Sequence, residues 1–138
     1  MKRFMTAAAA LILLGLFVRL GYVVADGLRE PWVYFGVTVE TPKVRAGQSV
    51  RIVYDLERRR ICRTRITQFW IDLATGEAVH RGLVPGGYGA VGRHKTLVVL
   101  TPPPLPPGRY AYRPLMESDC ELAEFTTPVP DAAFDVVE

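Results

Sequence analysis

The segment from Phe4 to Ala25 sets the first constraint on this chain. Its 22 residues carry one charge, Arg19, between the apolar runs Thr6 to Val18 and Leu20 to Ala25. At about 1.5 Å of rise per residue, a helix of that length crosses a hydrocarbon core of roughly 30 Å. Two readings satisfy the same rules. As a signal peptide, the segment has a basic start at Lys2 and Arg3, an apolar centre, and Val23-Val24-Ala25 as a small-residue cleavage site before Asp26. As an uncleaved anchor, it must accommodate Arg19. A central arginine costs about 2.5–3.5 kcal/mol on insertion scales, but one near the outer end snorkels to the interface. The anchor is the favoured expectation, with membrane contact through residues 4–25. No cysteine closes the apolar stretch, which excludes lipid attachment through one there. Lys2 and Arg3 place the N-terminus in the cytoplasm and the remainder in the periplasm or outside the cell. Cleavage near Ala25 would instead give a secreted or soluble periplasmic protein. Both readings export the rest of the chain.

A chain of 138 residues leaves room for one domain beyond residues 1–25, namely 26–138. The net charge of +3 does not describe that domain, since Lys2, Arg3 and Arg19 account for all of it. The remaining charges are sorted along the chain. Residues 43–113 hold 13 basic and four acidic side chains, whereas residues 117–138 hold seven acidic and no basic ones. Opposed blocks of this kind neutralise each other across a fold more readily than they build a nucleic-acid face. With export, this excludes nucleic acid as the expected partner.

Beyond Asp26 the apolar pattern changes to a period of two, broken by turn residues. Val33 to Glu40 is a first predicted strand. Val50, Ile52, Tyr54 and Leu56 alternate with Arg51, Asp55 and Glu57 in a second. Ile66 to Leu73 is a third, with Phe69, Ile71 and Leu73 on one face and Ile66 and Trp70 on the other. Asp72 to Gly76 makes a turn and Ala78 to Leu83 returns. Residues 85–93 are predicted to be a flexible loop, and Thr96 to Thr101 a short strand. Pro102 to Gly108 must leave the sheet, because consecutive prolines donate no ladder hydrogen bonds. Arg109 to Leu115 and Ala133 to Val137 complete about seven strands. With no helical period among them, the fold class is all-β, a two-sheet sandwich after one N-terminal hydrophobic helix.

Val44-Arg45-Ala46-Gly47-Gln48-Ser49-Val50-Arg51-Ile52-Val53-Tyr54 resembles the entry into the second strand of immunoglobulin-like (fibronectin III-like) modules. Pro106-Pro107-Gly108-Arg109-Tyr110-Ala111-Tyr112 resembles the turn into their sixth strand, where a tyrosine often closes the corner. Phe134-Asp135-Val136-Val137 is similar to their last strand. The layout, a short anchor before such a module, also resembles small membrane-anchored proteins of bacteria and tailed phages. The resemblance implies a pairing for the two cysteines. Cys62 follows the second strand and Cys120 the sixth, strands that oppose each other in such sandwiches, and an oxidising compartment allows a disulfide. The expected bridge joins the two sheets at one end. Two buried free thiols or a redox pair are the alternatives, though no Cys-x-x-Cys is present.

Five guanidinium groups crowd the segment holding Arg58, Arg59, Arg60, Arg63 and Arg65. They form a candidate contact for an anionic envelope polymer or protein partner. The competing expectation is a solvated turn whose charges meet Glu117, Asp119, Glu121 and Glu124, brought close by Cys62 and Cys120. His80 and His94 have no metal-ligand spacing and are expected on surface or loop. No metal or cofactor is expected. Ser49 and Ser118 lie outside any nucleophile elbow, and the glycine-rich loop lacks a Gly-Lys-Ser/Thr ending. No catalytic residue is assigned. Pro103 to Pro106 reads as a stiff crossover between sheets, Trp70 as core, and Trp32 as a residue near the membrane interface. The expected function is a non-enzymatic, membrane-tethered binding or structural module. The alternatives are a phage-encoded envelope or lysis accessory protein and, with the needed polar groups missing, a small envelope hydrolase.

Overall fold

A computed structural model describes residues 2–86 and 89–138, with backbone only for residues 2–9 and Pro85. The chain divides into two compact units, residues 1–29 with 121–123 and residues 30–120 with 124–138. In the first, α1 (Lys2–Gly27) is unbroken. Alanines and leucines, strong helix formers, fill its first half. Its last turn closes with Leu28 N–H donating to Val24 C=O and Arg29 N–H to Asp26 C=O.

The second unit is an all-β sandwich of two sheets. Nine strands run among the described residues: β1 (Trp32–Val39), β2 (Lys43–Arg45), β3 (Val50–Arg58), β4 (Arg63–Asp72), β5 (Ala78–Gly86), β6 (Gly92–Leu100), β7 (Gly108–Cys120), β8 (Ala123–Pro128) and β9 (Ala132–Val137). One sheet has the order β1-β3-β6. The other has β2-β9-β7-β4-β5, with β8 also paired to β7. The adjacent β3 and β6 facing β9-β7-β4 reproduce the B–E and G–F–C arrangement of the immunoglobulin fold.

Local chemistry accounts for the sheet switches. Pro42 breaks the edge after β1, and the chain crosses to lay β2 parallel to β9, Val44 beside Val136. The return to β3 turns at Gly47, whose φ of 82° suits glycine. Gln48 N–H donates to Arg45 C=O, and Arg45 N–H to the Gln48 side chain, fastening that turn from both sides. The β4–β5 turn closes likewise, with Gly76 N–H on Asp72 C=O and Ala74 N–H on Asp72 Oδ1.

The alternation in β3 is realised as read, since Val50, Ile52, Tyr54 and Leu56 are all buried. Trp70 of β4 packs against Tyr112 and Phe134, with ring centroids 5.0 and 5.7 Å apart. Tyr110 donates its hydroxyl hydrogen to Pro106 C=O at 3.0 Å, closing the expected corner.

Several expectations need correction. β2 and β8 were not foreseen, the first because three residues carry too short a pattern. The second lies in an acidic stretch read as charge rather than as strand. The loop predicted over 85–93 is shorter, because β5 extends to Gly86 and β6 begins at Gly92; Gly87 and Tyr88 lie outside the described residues. Trp32 is not an interfacial residue. It starts β1, pairs with Arg58 across the sheet, and is 3% exposed.

Candidate functional site

The five arginines do not form one surface. Arg58 takes the next inward position after Leu56 on β3 and is 3% exposed. Its guanidinium carbon lies 4.9 Å from the Trp32 ring centroid, and it donates a hydrogen bond to Gly89 C=O. Arg59 pairs with Glu57 at 3.5 Å. Arg60 lies over the Phe125 ring at 5.2 Å. Only Arg63 and Arg65 face a common space. Cross-strand register puts them opposite Asp119 and Glu117, and Arg65 reaches Glu117 at 3.5 Å. With Glu124 and Phe125 they line a cleft of about 280 Å³. Two cations stand there among three carboxylates, and exposed pairs of this kind contribute little stability. Of the five arginines expected to meet an anionic partner, backbone alternation sends Arg58 inward, Arg60 packs on a ring, and Arg59 and Arg65 pair with glutamates.

Cys62 and Cys120 are bonded, with Cα atoms 4.9 Å apart. The geometry differs from expectation. Cys62 directly precedes β4 and Cys120 ends β7, and these strands are neighbours, Arg63 opposite Asp119. The bridge therefore fastens one sheet and does not join two. At the position two residues after the corner tyrosine, where immunoglobulin domains place a bridging cysteine, this chain has Tyr112. The Trp70 ring packs there against a phenol. Beside the bridge the interior becomes polar: Thr64 and Ser118, both buried, share a hydrogen bond at 3.2 Å.

Neither histidine is in a loop. His80 lies on β5 and His94 on β6, where its Nδ1 is 3.1 Å from Gly92 C=O. Among the described residues no group of three His, Cys, Asp or Glu side chains is placed to hold a metal.

A second concave feature is a cavity between the sheets, of about 340 Å³. It is lined from both sheets, by residues of β1, β3 and β6 on one side and of β4, β5 and β7 on the other. Its origin is legible in side-chain size. The inward positions of β5 opposite Gln68, Ile66 and Thr64 are Gly82, Val84 and Gly86. On β6 the inward positions opposite Tyr54 and Ile52 are the smaller Thr96 and Val98, flanked by His94 and Leu100. Small residues on two edge strands cannot fill the space that twisted sheets leave between them. Accordingly, inward residues of β6 are half-buried while those of β3 are buried.

The cavity wall is mostly apolar, with Leu56, Ile66, Val84, Val98, Leu100 and Met116 prominent. Its polar groups come from the phenols of Tyr34, Tyr54 and Tyr112, the Trp32 indole, and the side chains of Gln68, His94 and Thr96. Tyr34 donates to the Met116 sulfur at 3.8 Å. Burial pushes the Tyr112 hydroxyl up to about 12, partly offset by a hydrogen bond with Gln68. Burial, reinforced by neighbouring Tyr112, holds Tyr34 and Tyr54 well above the ordinary phenol range. These groups are therefore neutral hydrogen-bond donors at physiological pH. Two of them lack partners: among the described residues, neither the buried Tyr54 hydroxyl nor the buried Trp32 Nε1 hydrogen bonds to protein. Such orphans are uncommon in native interiors.

Sequence reasoning assigned none of these residues to a site. The available signal was Tyr54, a hydroxyl at an inward position of an otherwise apolar face. No protein family's profile matches the sequence, and no curated protein matches it either.

Proposed function

We propose that the chain is a non-enzymatic, membrane-tethered immunoglobulin-like binding module working on the extracytoplasmic side. The observation that carries the reading is the surface of α1. Residues 10–26 are exposed all round, and Leu11, Phe17, Leu20 and Tyr22 are 61–71% exposed. The stretch Ala10–Gly27 has a mean hydropathy of 1.8. A helix apolar on every side takes lipid as its solvent. The Cys62–Cys120 bridge supports an oxidising compartment. Binding rather than turnover is supported by the cavity's chemistry. Among the described residues no carboxylate lines it to pair with His94 as an acid–base set.

The test is fractionation of cells expressing the full chain. Resistance to carbonate extraction, with the β domain open to protease added from outside the cytoplasmic membrane, is the expected result. Recovery of a soluble protein beginning at Asp26 would refute the tether.

A further inference from the structure

We propose that the β7–β8 turn is a lipid-contact surface, seated through Leu122 in the headgroup layer of the bilayer that α1 crosses, with Ile61 held nearby by the Cys62–Cys120 bridge. The proposal rests on the tether reading and adds the surface by which the β domain meets the membrane.

The depth follows from α1 and the turn, which fold as one compact unit, residues 121–123 with residues 1–29. Leu122 packs so closely on the buried Gly27 that a side chain at Gly27 would collide with it. Gly27 stands two residues beyond Ala25, the last of the apolar span, which is about 3 Å of helical rise. A headgroup layer is roughly 5–7 Å thick, given a bilayer of about 40–45 Å around a core of about 30 Å. With the apolar span in hydrocarbon, Leu122 therefore stands at headgroup depth.

The occupant follows from the side chains. Turns that face water favour Gly, Pro, Asn, Asp or Ser. This one carries Leu122, 54% exposed, and Leu28 of the same unit is 57% exposed. Cys120, the residue before the turn, is bonded to Cys62 with Cα atoms 4.9 Å apart, and the residue before Cys62 is Ile61, 77% exposed. Ile61 also lies in a connection between strands, from β3 to β4. Exposed apolar side chains rimmed by polar ones mark a membrane or a protein contact, and continuity with the apolar surface of α1 selects the membrane. The rim carries both signs: Arg29 beside Asp26 at 4.0 Å, Arg59 beside Glu57 at 3.5 Å, and Glu121 in the turn itself. Paired charges draw anionic lipid only weakly, so apolar burial carries the contact and a zwitterionic bilayer suffices.

The experiment places one added tryptophan at a time in the full chain, reconstituted in phosphatidylcholine vesicles, and compares emission with and without lipid brominated near the headgroup. Trp32 and Trp70 in the unchanged chain set the baseline. Leu122→Trp and Ile61→Trp should each lose emission beyond that baseline, and the loss should persist in high salt. Val99→Trp is the control, at a position 53% exposed and seven residues along β6 from Gly92, which pairs with Arg58. That separation is about 23 Å at 3.3 Å per residue, so Val99→Trp should stay at the baseline. Leu14→Trp, in the middle of the apolar span, reports the tether through lipid brominated deep in its chains. Quenching of Leu14→Trp with none at Leu122→Trp and Ile61→Trp would overturn the lipid contact and leave the tether standing. Quenching at Leu122→Trp and Ile61→Trp with none at Leu14→Trp would sink the tether alone. Equal quenching of Val99→Trp, or a loss abolished by salt, would overturn the apolar seating of this turn.

Discussion

Removing the Cys62–Cys120 bridge should destabilise the sandwich through the unfolded chain. The two cysteines are 58 positions apart in sequence. In the chain-entropy relation, opening a loop of that length costs about 4 kcal/mol, and compact unfolded states reduce the observed value to about 2–4 kcal/mol. The native side of the equilibrium should change little. β4 and β7 remain paired over Arg63 to Asp72 without the bridge, and the Thr64–Ser118 hydrogen bond holds the same end. The assay is urea unfolding of the full chain in detergent, followed by tryptophan fluorescence. Trp32 and Trp70, both buried in the β unit, are the only tryptophans, so α1 does not contribute to the signal. With an m-value of about 1–3 kcal/mol/M, the midpoint should fall by on the order of 1–2 M. Wild type in reductant and Cys62→Ser/Cys120→Ser should unfold at the same concentration. Equal midpoints for oxidised and reduced wild type would refute the reasoning. So would a serine variant that unfolds well below reduced wild type, since that would locate the loss in the folded state.

Three further outcomes follow from the packing. Trp70→Ala empties the place between Tyr112 and Phe134 and should cost about 3–5 kcal/mol in the same unfolding assay. Tyr110→Phe loses the hydrogen bond to Pro106 and should cost about 0.5–1.5 kcal/mol, with the near-ultraviolet dichroism of the core retained. Alkaline unfolding should be set by the buried phenols. Tyr112 rises from 10.0 to about 12 on folding, and Tyr34 and Tyr54 rise further. The unfolded chain therefore releases these protons first, and stability is complete below pH 10 and lost as pH climbs through about 12. Tyr54→Phe should move that transition upward in a pH titration of tryptophan fluorescence.

The sequence by itself determined the features that depend on neighbours in the chain. The length and apolarity of Phe4 to Ala25 specified a helix. Period-two alternation specified β3 and its buried face, and Pro102 to Pro107 specified where the chain must leave a sheet. The likeness around Tyr110 carried the corner. These are local preferences, and the tertiary structure only had to agree with them. Other features depend on which strands lie side by side. Cys62 and Cys120 were paired from sequence, but only the β4–β7 register decided that their bridge stays within one sheet. The arginine run read as one charged surface because a list of residues hides the alternation that turns Arg58 inward beside Trp32. The cavity was the least legible. It exists because β5 and β6 end their separate sheets with small inward residues, and two segments that never pair leave no pattern in either one. Tyr54 reads as an ordinary core position, and only the packing around it leaves its buried hydroxyl without a protein partner among the described residues.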